Sequence, residues 1–132
     1  KEYIKKSEGL MLEPYLYSGH WYIGYGHQIF KPCKPITELQ ADSLLDLALQ
    51  QKILYVSNTY KVIGNQALAL GMLFYAIKPT SIKKSILHKE LLYTKNDSLI
   101  QKSWLSFCYY EGKEHKELKK RREFEVNLFY KK

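Results

Sequence analysis

The chain has 132 residues, of which 45% are hydrophobic and 26% charged, a length and balance suited to one compact domain and unlike disordered, collagen-like or fibrous chains. No apolar run approaches the roughly 20 residues a membrane-spanning helix requires; the richest, 67–77, is interrupted by Gly71 and followed by Lys78-Pro79. The net charge of +8 favours anionic partners, whether nucleic acid, acidic lipid or a cell-wall polymer, without choosing among them.

Taken in chain order, the first residues carry Lys1, Glu2, Lys5 and Lys6 where a secretory signal would be apolar, so any export signal is expected to have been removed. Ile4, Leu10 and Met11 among charges predict a short amphipathic helix ending near Gly9, with Glu8 at its end. From Pro14 to Phe30 the composition turns to aromatics, Ile23 and the glycines 19, 24 and 26. That predicts a small antiparallel hairpin or irregular sheet at 14–30, the one β region expected.

Lys31-Pro32-Cys33-Lys34-Pro35 reads as a connector, and Thr37 followed three residues later by Gln40 is a capping-box signature. Leu45, Leu49, Ile53 and Val56 then form one apolar stripe along a predicted helix from about Thr37 to Asn58. Further helices are expected over 65–77, 81–93, 97–110 and about 116–130, punctuated by Gly64, Lys78-Pro79, Lys95-Asn96 and Gly112. The connections are too short to separate domains.

Lys116, Lys119, Lys120, Arg121 and Arg122 make the densest basic run, but Glu114, Glu117, Glu123 and Glu125 interleave with it, as on a solvated helix face. With no recognised reading motif, nucleic acid is not the expected partner. Cys33 and Cys108 lie far apart, with no CxxC and no histidine spacing that suggests zinc. No metal or cofactor is expected, and a disulfide and two separate thiols both remain open.

Glu8-Gly9-Leu10, then Leu12, Tyr15 and Ile23-Gly24-Tyr25-Gly26-His27, resembles the opening of phage-type lysozymes (endolysin-like muramidases), where E-G-L…Y…T-I-G-Y-G-H runs from a first helix into a hairpin. Gln40-Ala41-Asp42 with Leu44-Leu45 is similar to the family's Q-A-x-x-L-L helix start. Gln66-Ala67-Leu68 to Phe74 is similar to its Q-x-A-L…F-N-x-G helix, with Tyr75 in place of asparagine, and Ser85-Ile86-Leu87 to its S-T-L-L segment. Arg121-Arg122-Glu123-Phe124-Glu125 with Leu128-Phe129 resembles the closing R-R-x-x-E-x-x-L-F helix. Five fragments in family order span nearly the whole chain.

The resemblance implies an α+β, mainly helical two-lobed fold: a small lobe over about 1–36, a linking helix at about 37–58 and a helical lobe at about 59–132. It implies glycoside hydrolysis of peptidoglycan, which generally takes one acid to protonate the leaving oxygen and a second group to activate water or stabilise the oxocarbenium-like centre. Glu8 matches the acid. The family's second carboxylate and the threonine before I-G-Y-G-H are both replaced: counting forward from Glu8 reaches Tyr17, counting back from I-G-Y-G-H reaches Leu16 because this hairpin is one residue shorter, and the threonine position is Tyr22. Ser18, His20 and Glu13 are the other polar groups nearby. His20 has the chemistry of a base near neutral pH, although a lone histidine in a hairpin tip is more often an exposed turn residue.

By resemblance Arg121 pairs with Glu8 and His27 supports the site; Tyr25, Ser18 and His20 are further supporting or cleft candidates. Two functions follow: a muramidase cutting between N-acetylmuramic acid and N-acetylglucosamine with an unusual second group, or a catalytically inactive module that binds peptidoglycan or a protein partner. Either implies a protein that is exported, periplasmic, cell-wall directed or phage-released, and a monomer is expected.

Overall fold

The computed structural model describes residues 1–110 and 112–131. The architecture is α+β and mainly helical, with a three-stranded antiparallel sheet near the N-terminus, as expected. The chain divides into two compact units, Lys1–Gln51 and Lys52–Lys132.

In the first unit, α1 (Glu2–Glu8) buries Ile4 and stops at Gly9, whose φ of 73° suits glycine and whose N–H bonds to Lys5 O at 3.0 Å. The expected hairpin is a three-stranded meander that starts earlier than Pro14: β1 (Met11–Tyr17), β2 (His20–Gly24) and β3 (His27–Ile29). Ser18 and Gly19, at φ 51° and 81°, form a two-residue turn whose twist matches the flanking strands. The β1–β2 register slips between Met11 and Tyr15, a stretch that contains Pro14, which has no N–H for the ladder. The connector returns to the sheet edge through Ile36 N–H to Leu12 O at 2.9 Å.

The capping box is present in both directions: Thr37 N–H donates to Gln40 Oε1 (2.9 Å), and Gln40 N–H to Thr37 Oγ1 (3.1 Å). From there α2 (Glu38–Tyr60) runs 23 residues. Leu45, Leu49 and Val56 are buried as the stripe predicts, and Ile53 is half-buried.

In the second unit α3 (Gly64–Ala76) is the core helix, burying Ala67 and every residue from Ala69 to Phe74. Gly71 lets α2 come close: a β-carbon there would stand 2.7 Å from Ile53 Cγ1 and 3.3 Å from its backbone. Around α3 gather Ile82, Leu87, Ile100, Trp104, Val126 and Phe129.

The single helix expected over 81–93 is broken. α4 (Pro79–Lys83) ends because Ser85 directs both its N–H (2.9 Å) and its Oγ (2.5 Å) onto Ile82 O, a local hydrogen bond that competes with helix continuation. α5 (Ile86–Lys89) then passes into a π-helical turn, Glu90–Thr94, closed by Lys95 at φ 54°. The next helix is also shorter than expected. α6 (Asp97–Leu105), capped by Asn96 Oδ1 accepting from Leu99 N–H at 3.1 Å, gives way at Ser106, whose hydroxyl bonds to Ser103 O. Residues 109–110 (β4) instead pair with 113–114 (β5). The last helix, α7 (Lys116–Phe129), corrects the picture of a wholly solvated basic run, because Arg122 and Glu125 within it are 1% and 2% exposed.

Candidate functional site

Glu8 owes its place to where α1 is fastened. Lys1 Nζ meets Asp46 Oδ2 at 2.8 Å and Lys5 Nζ meets Asp42 Oδ1 at 2.5 Å, tying successive turns of α1 to the first turns of α2. The Lys5 ammonium holds the Asp42 carboxyl below its ordinary range, and Asp42 in return raises Lys5. Tyr25, buried at 5% exposure, has Lys5 Nζ 5.5 Å from its ring centroid and hydrogen-bonds to Asp42. Burial pushes the Tyr25 phenol up. Tyr25 is therefore a buried residue that supports α1 through Lys5 and Asp42.

The two glycines flanking Tyr25 do different work. Gly24, at φ 69°, packs on α2, with its missing β-carbon position 3.4 Å from Ala41 Cβ. Gly26, at φ 76°, faces Glu8: a β-carbon would lie 3.1 Å from Oε2 and 3.6 Å from Cδ. The half-buried Glu8 carboxyl thus rests against the bare backbone of the β2–β3 turn.

Alternation along the strands sorts the remaining residues. Tyr15 pairs with Tyr22 across β1 and β2, and Tyr22 with Gln28 across β2 and β3, so these three share one face. The Tyr15 and Tyr22 rings stack with centroids 5.8 Å apart. Burial, then the Glu8 charge, then Tyr22 push the Tyr15 phenol up, which puts the stack within electrostatic reach of Glu8. Tyr17 and His20 continue that face to the hairpin tip; both are exposed, and His20 Nδ1 lies 3.1 Å from Gln28 Nε2. Ser18 is exposed in the turn. Glu13 is likewise exposed.

His27 pairs with Ile23 and so points to the other face, where burial holds its imidazole below the ordinary value. The structure brings Glu8, Gly26, Tyr15 and Tyr22 together, and leaves Tyr17, Ser18 and His20 at the tip. Sequence reasoning missed the Lys5–Asp42–Tyr25 cluster and the stacking of Tyr15 on Tyr22.

In the second unit Arg121 is half-buried on α7. Its neighbour Arg122 is the buried cation: Nε and Nη2 engage Glu125 Oε1 and Oε2 at 2.7 and 2.9 Å, and Trp104 Nε1 donates to Glu125 Oε1 at 3.0 Å. Burial raises the Glu125 carboxyl against the opposing pull of Arg122 and Trp104. The i, i+3 spacing of Arg122 and Glu125 was the available signal for this pair.

Cys33 is an exposed free thiol and Cys108 a buried one. Among the described residues no group of three or more His, Cys, Asp or Glu side chains is placed to hold a metal ion, and no helix is long and apolar enough to cross a membrane.

Comparison with known proteins follows the same lines. The muramidase domain of SpmX from Asticcacaulis excentricus is 25% identical, with a TM-score of 0.81 over 99% of this chain and 94% of that one. An endolysin from Escherichia coli O157:H7 phage FAHEc1 is 27% identical, with a TM-score of 0.75 over 98% of this chain and 89% of that one. The P1 phage endolysin Lyz, in its active form, shares the fold at 19% identity, with a TM-score of 0.78 over 97% and 80% of the two chains. No curated protein sequence is matched. The sequence profile of phage lysozymes matches residues 5–125, and the chain belongs to the phage lysozyme family.

Proposed function

We propose that the protein is a lysozyme-like glycoside hydrolase of peptidoglycan in which Glu8 is the general acid. The observation that carries this reading is the contact of Glu8 with Gly26, a left-handed glycine whose missing side chain leaves room for the carboxyl. Protonated, the Glu8 carboxyl donates to the glycosidic oxygen as the bond to the anomeric carbon breaks.

The second group of the reaction is the weak point, because Tyr17 and Tyr22 stand at the positions that family resemblance gives to the aspartate and threonine. A second reading, a module that binds glycan strands without cutting them, is favoured by the Tyr15–Tyr22 stack, since flat aromatic faces suit sugar rings better than they activate water. Peptidoglycan as the target places the site of action outside the cytoplasmic membrane, whether by export or by phage release.

The deciding experiment measures release of reducing ends from purified peptidoglycan by the wild type and by Glu8→Gln, with a pelleting assay alongside. Glu8→Gln keeps the shape and removes the transferable proton, so turnover is expected to fall by about 10²-fold or more with binding retained. Turnover unchanged by the substitution would remove Glu8 from the role of acid. No turnover in either protein, with binding retained, would establish the non-cutting module.

A further inference from the structure

The charge of the chain is unevenly placed. Residues 52–132 carry sixteen of the 21 Lys and Arg against seven of the 13 acidic residues, a net +9, while residues 1–51 come to −1. Within the second unit, the stretch from α4 to the π-helical turn is the most one-sided. Lys78, Lys83, Lys84, Lys89 and Lys95 are all exposed, and Glu90 is the one acid among them.

Glu90 does not neutralise these lysines. It is 4% exposed, and one carboxyl oxygen accepts from Ser103 Oγ inside the unit. None of the five lysines forms an ion pair among the described residues. Lys83 alone has another engagement, its Nζ lying 5.1 Å from the Tyr55 ring centroid.

Between the lysines stand two large apolar side chains with no cover. Ile86 is 70% exposed and Tyr93 78% exposed, whereas Leu87 and Leu91 of the same run are buried. The spacing 86, 89, 93 sets Ile86, Lys89 and Tyr93 along one side of the helical run. The break at Ser85, which ends α4, leaves Lys84 just before this strip, and Lys95 closes it at the C-terminal end.

We propose that this strip is a docking surface for an anionic lipid membrane. Unpaired lysines are drawn to acidic headgroups within a Debye length of the surface. An aliphatic side chain and a tyrosine between them fit the headgroup–acyl boundary, where the tyrosine ring takes its amphipathic place. A soluble acidic polymer would satisfy the lysines and leave Ile86 in water, so the apolar pair selects lipid. The proposal does not depend on whether Glu8 cuts glycan.

The test is co-sedimentation of the full chain with vesicles of equal parts phosphatidylglycerol and phosphatidylcholine, against pure phosphatidylcholine. The wild type is expected to pellet with the acidic vesicles only. Lys84→Glu/Lys89→Glu should weaken partitioning by at least about tenfold, while Lys102→Glu/Lys113→Glu, with the same change of net charge, should stay within about twofold of the wild type. Ile86→Ser/Tyr93→Ser should also weaken it, and circular dichroism should show all variants folded, since every substituted side chain is exposed.

Failure of the wild type to pellet with acidic vesicles would overturn the proposal, and so would equal loss in both charge-reversed pairs, which would leave only net charge. If the serine variant binds vesicles like the wild type and both bind heparin equally, the surface recognises an acidic polymer instead.

Discussion

Gly26 and Glu8 meet closely enough that a β-carbon on Gly26, 3.1 Å from Glu8 Oε2, would make the carboxyl give way, and the backbone there stands at φ 76°. Gly24 shares the left-handed backbone but faces Ala41 at 3.4 Å. Alanine at either position should cost about 1–2 kcal/mol from the left-handed conformation, measured by urea unfolding. Only Gly26→Ala also moves the carboxyl, so it alone should depress reducing-end release beyond what its stability loss explains. Equal activity in the two variants would mean that the Glu8 contact does not matter to function.

The fastening of α1 leads to a local prediction. Lys5–Asp42 joins the helix that ends in Glu8 to α2, and Tyr25 joins the same cluster. Asp42→Asn removes the charge and keeps the shape. Amide exchange over residues 4–9 should speed up while exchange in α3, which lies in the other unit, stays as in the wild type. Unchanged exchange in α1 would show that Ile4 burial alone holds the helix.

The pH dependence of stability should show two declines on acidification. Burial holds His27 below its ordinary 6.5, so from about that pH downward the unfolded chain binds the proton more readily. Stability is then lost until the lower, folded value is passed. Asp42 is held below its ordinary 3.8 by Lys5, so its contribution is present above that value and is lost as pH falls through the folded one. Urea midpoints measured across both windows should show His27→Gln flattening the first decline and Asp42→Asn the second. A His27→Gln profile that overlays the wild type would assign the first decline to another group.

In the second unit, Glu125→Gln leaves Arg122 buried without its counter-charge. Both side chains are nearly sealed, and Trp104 donates to the same carboxylate. Breaking one side of a buried, hydrogen-bonded pair should cost about 3–5 kcal/mol, read as a lowered urea midpoint with an unchanged slope. A loss under about 1 kcal/mol would mean that the pair is solvated in practice.

How much of this was legible follows from the range of the interactions. The capping box at Thr37 and Gln40 and the glycines around Tyr25 are local patterns with fixed spacing, so the sequence displays them. Glu8 is legible through its motif. The break at Ser85 was not, because a serine that bonds back to Ile82 looks the same in sequence as one tolerated inside a helix. Nor was the choice of Arg122 over Arg121 for burial, which depends on Trp104 of α6 and on the Phe107 carbonyl in the turn that follows it. The cross-strand stack of Tyr15 on Tyr22 required the β1–β2 register, and the slip near Pro14 shifts that register away from a simple count.

That stack shapes the final prediction. Tyr22 stands where family resemblance expects threonine, and its ring lies on Tyr15 at 5.8 Å, within reach of the Glu8 charge. Tyr17, at the counted position of the second carboxylate, is 55% exposed at the hairpin tip. Tyr22→Thr should lose the ring pairing, worth about 0.5–1.5 kcal/mol, and open space beside Glu8 for water. Tyr17→Asp should cost little stability because more than half of that side chain is exposed, and it adds a carboxylate to the same sheet face. If the two tyrosines are what limit hydrolysis, the double variant should release reducing ends from peptidoglycan at least tenfold faster than the wild type, and adding Glu8→Gln should abolish the gain. A folded double variant no faster than the wild type would show that another group has taken the second role, or that the surface beside Glu8 no longer accepts a glycan for cutting. Pelleting with peptidoglycan separates those outcomes: retained binding without turnover fits the non-cutting module, whereas lost binding means that the tyrosine stack itself was the sugar-holding surface.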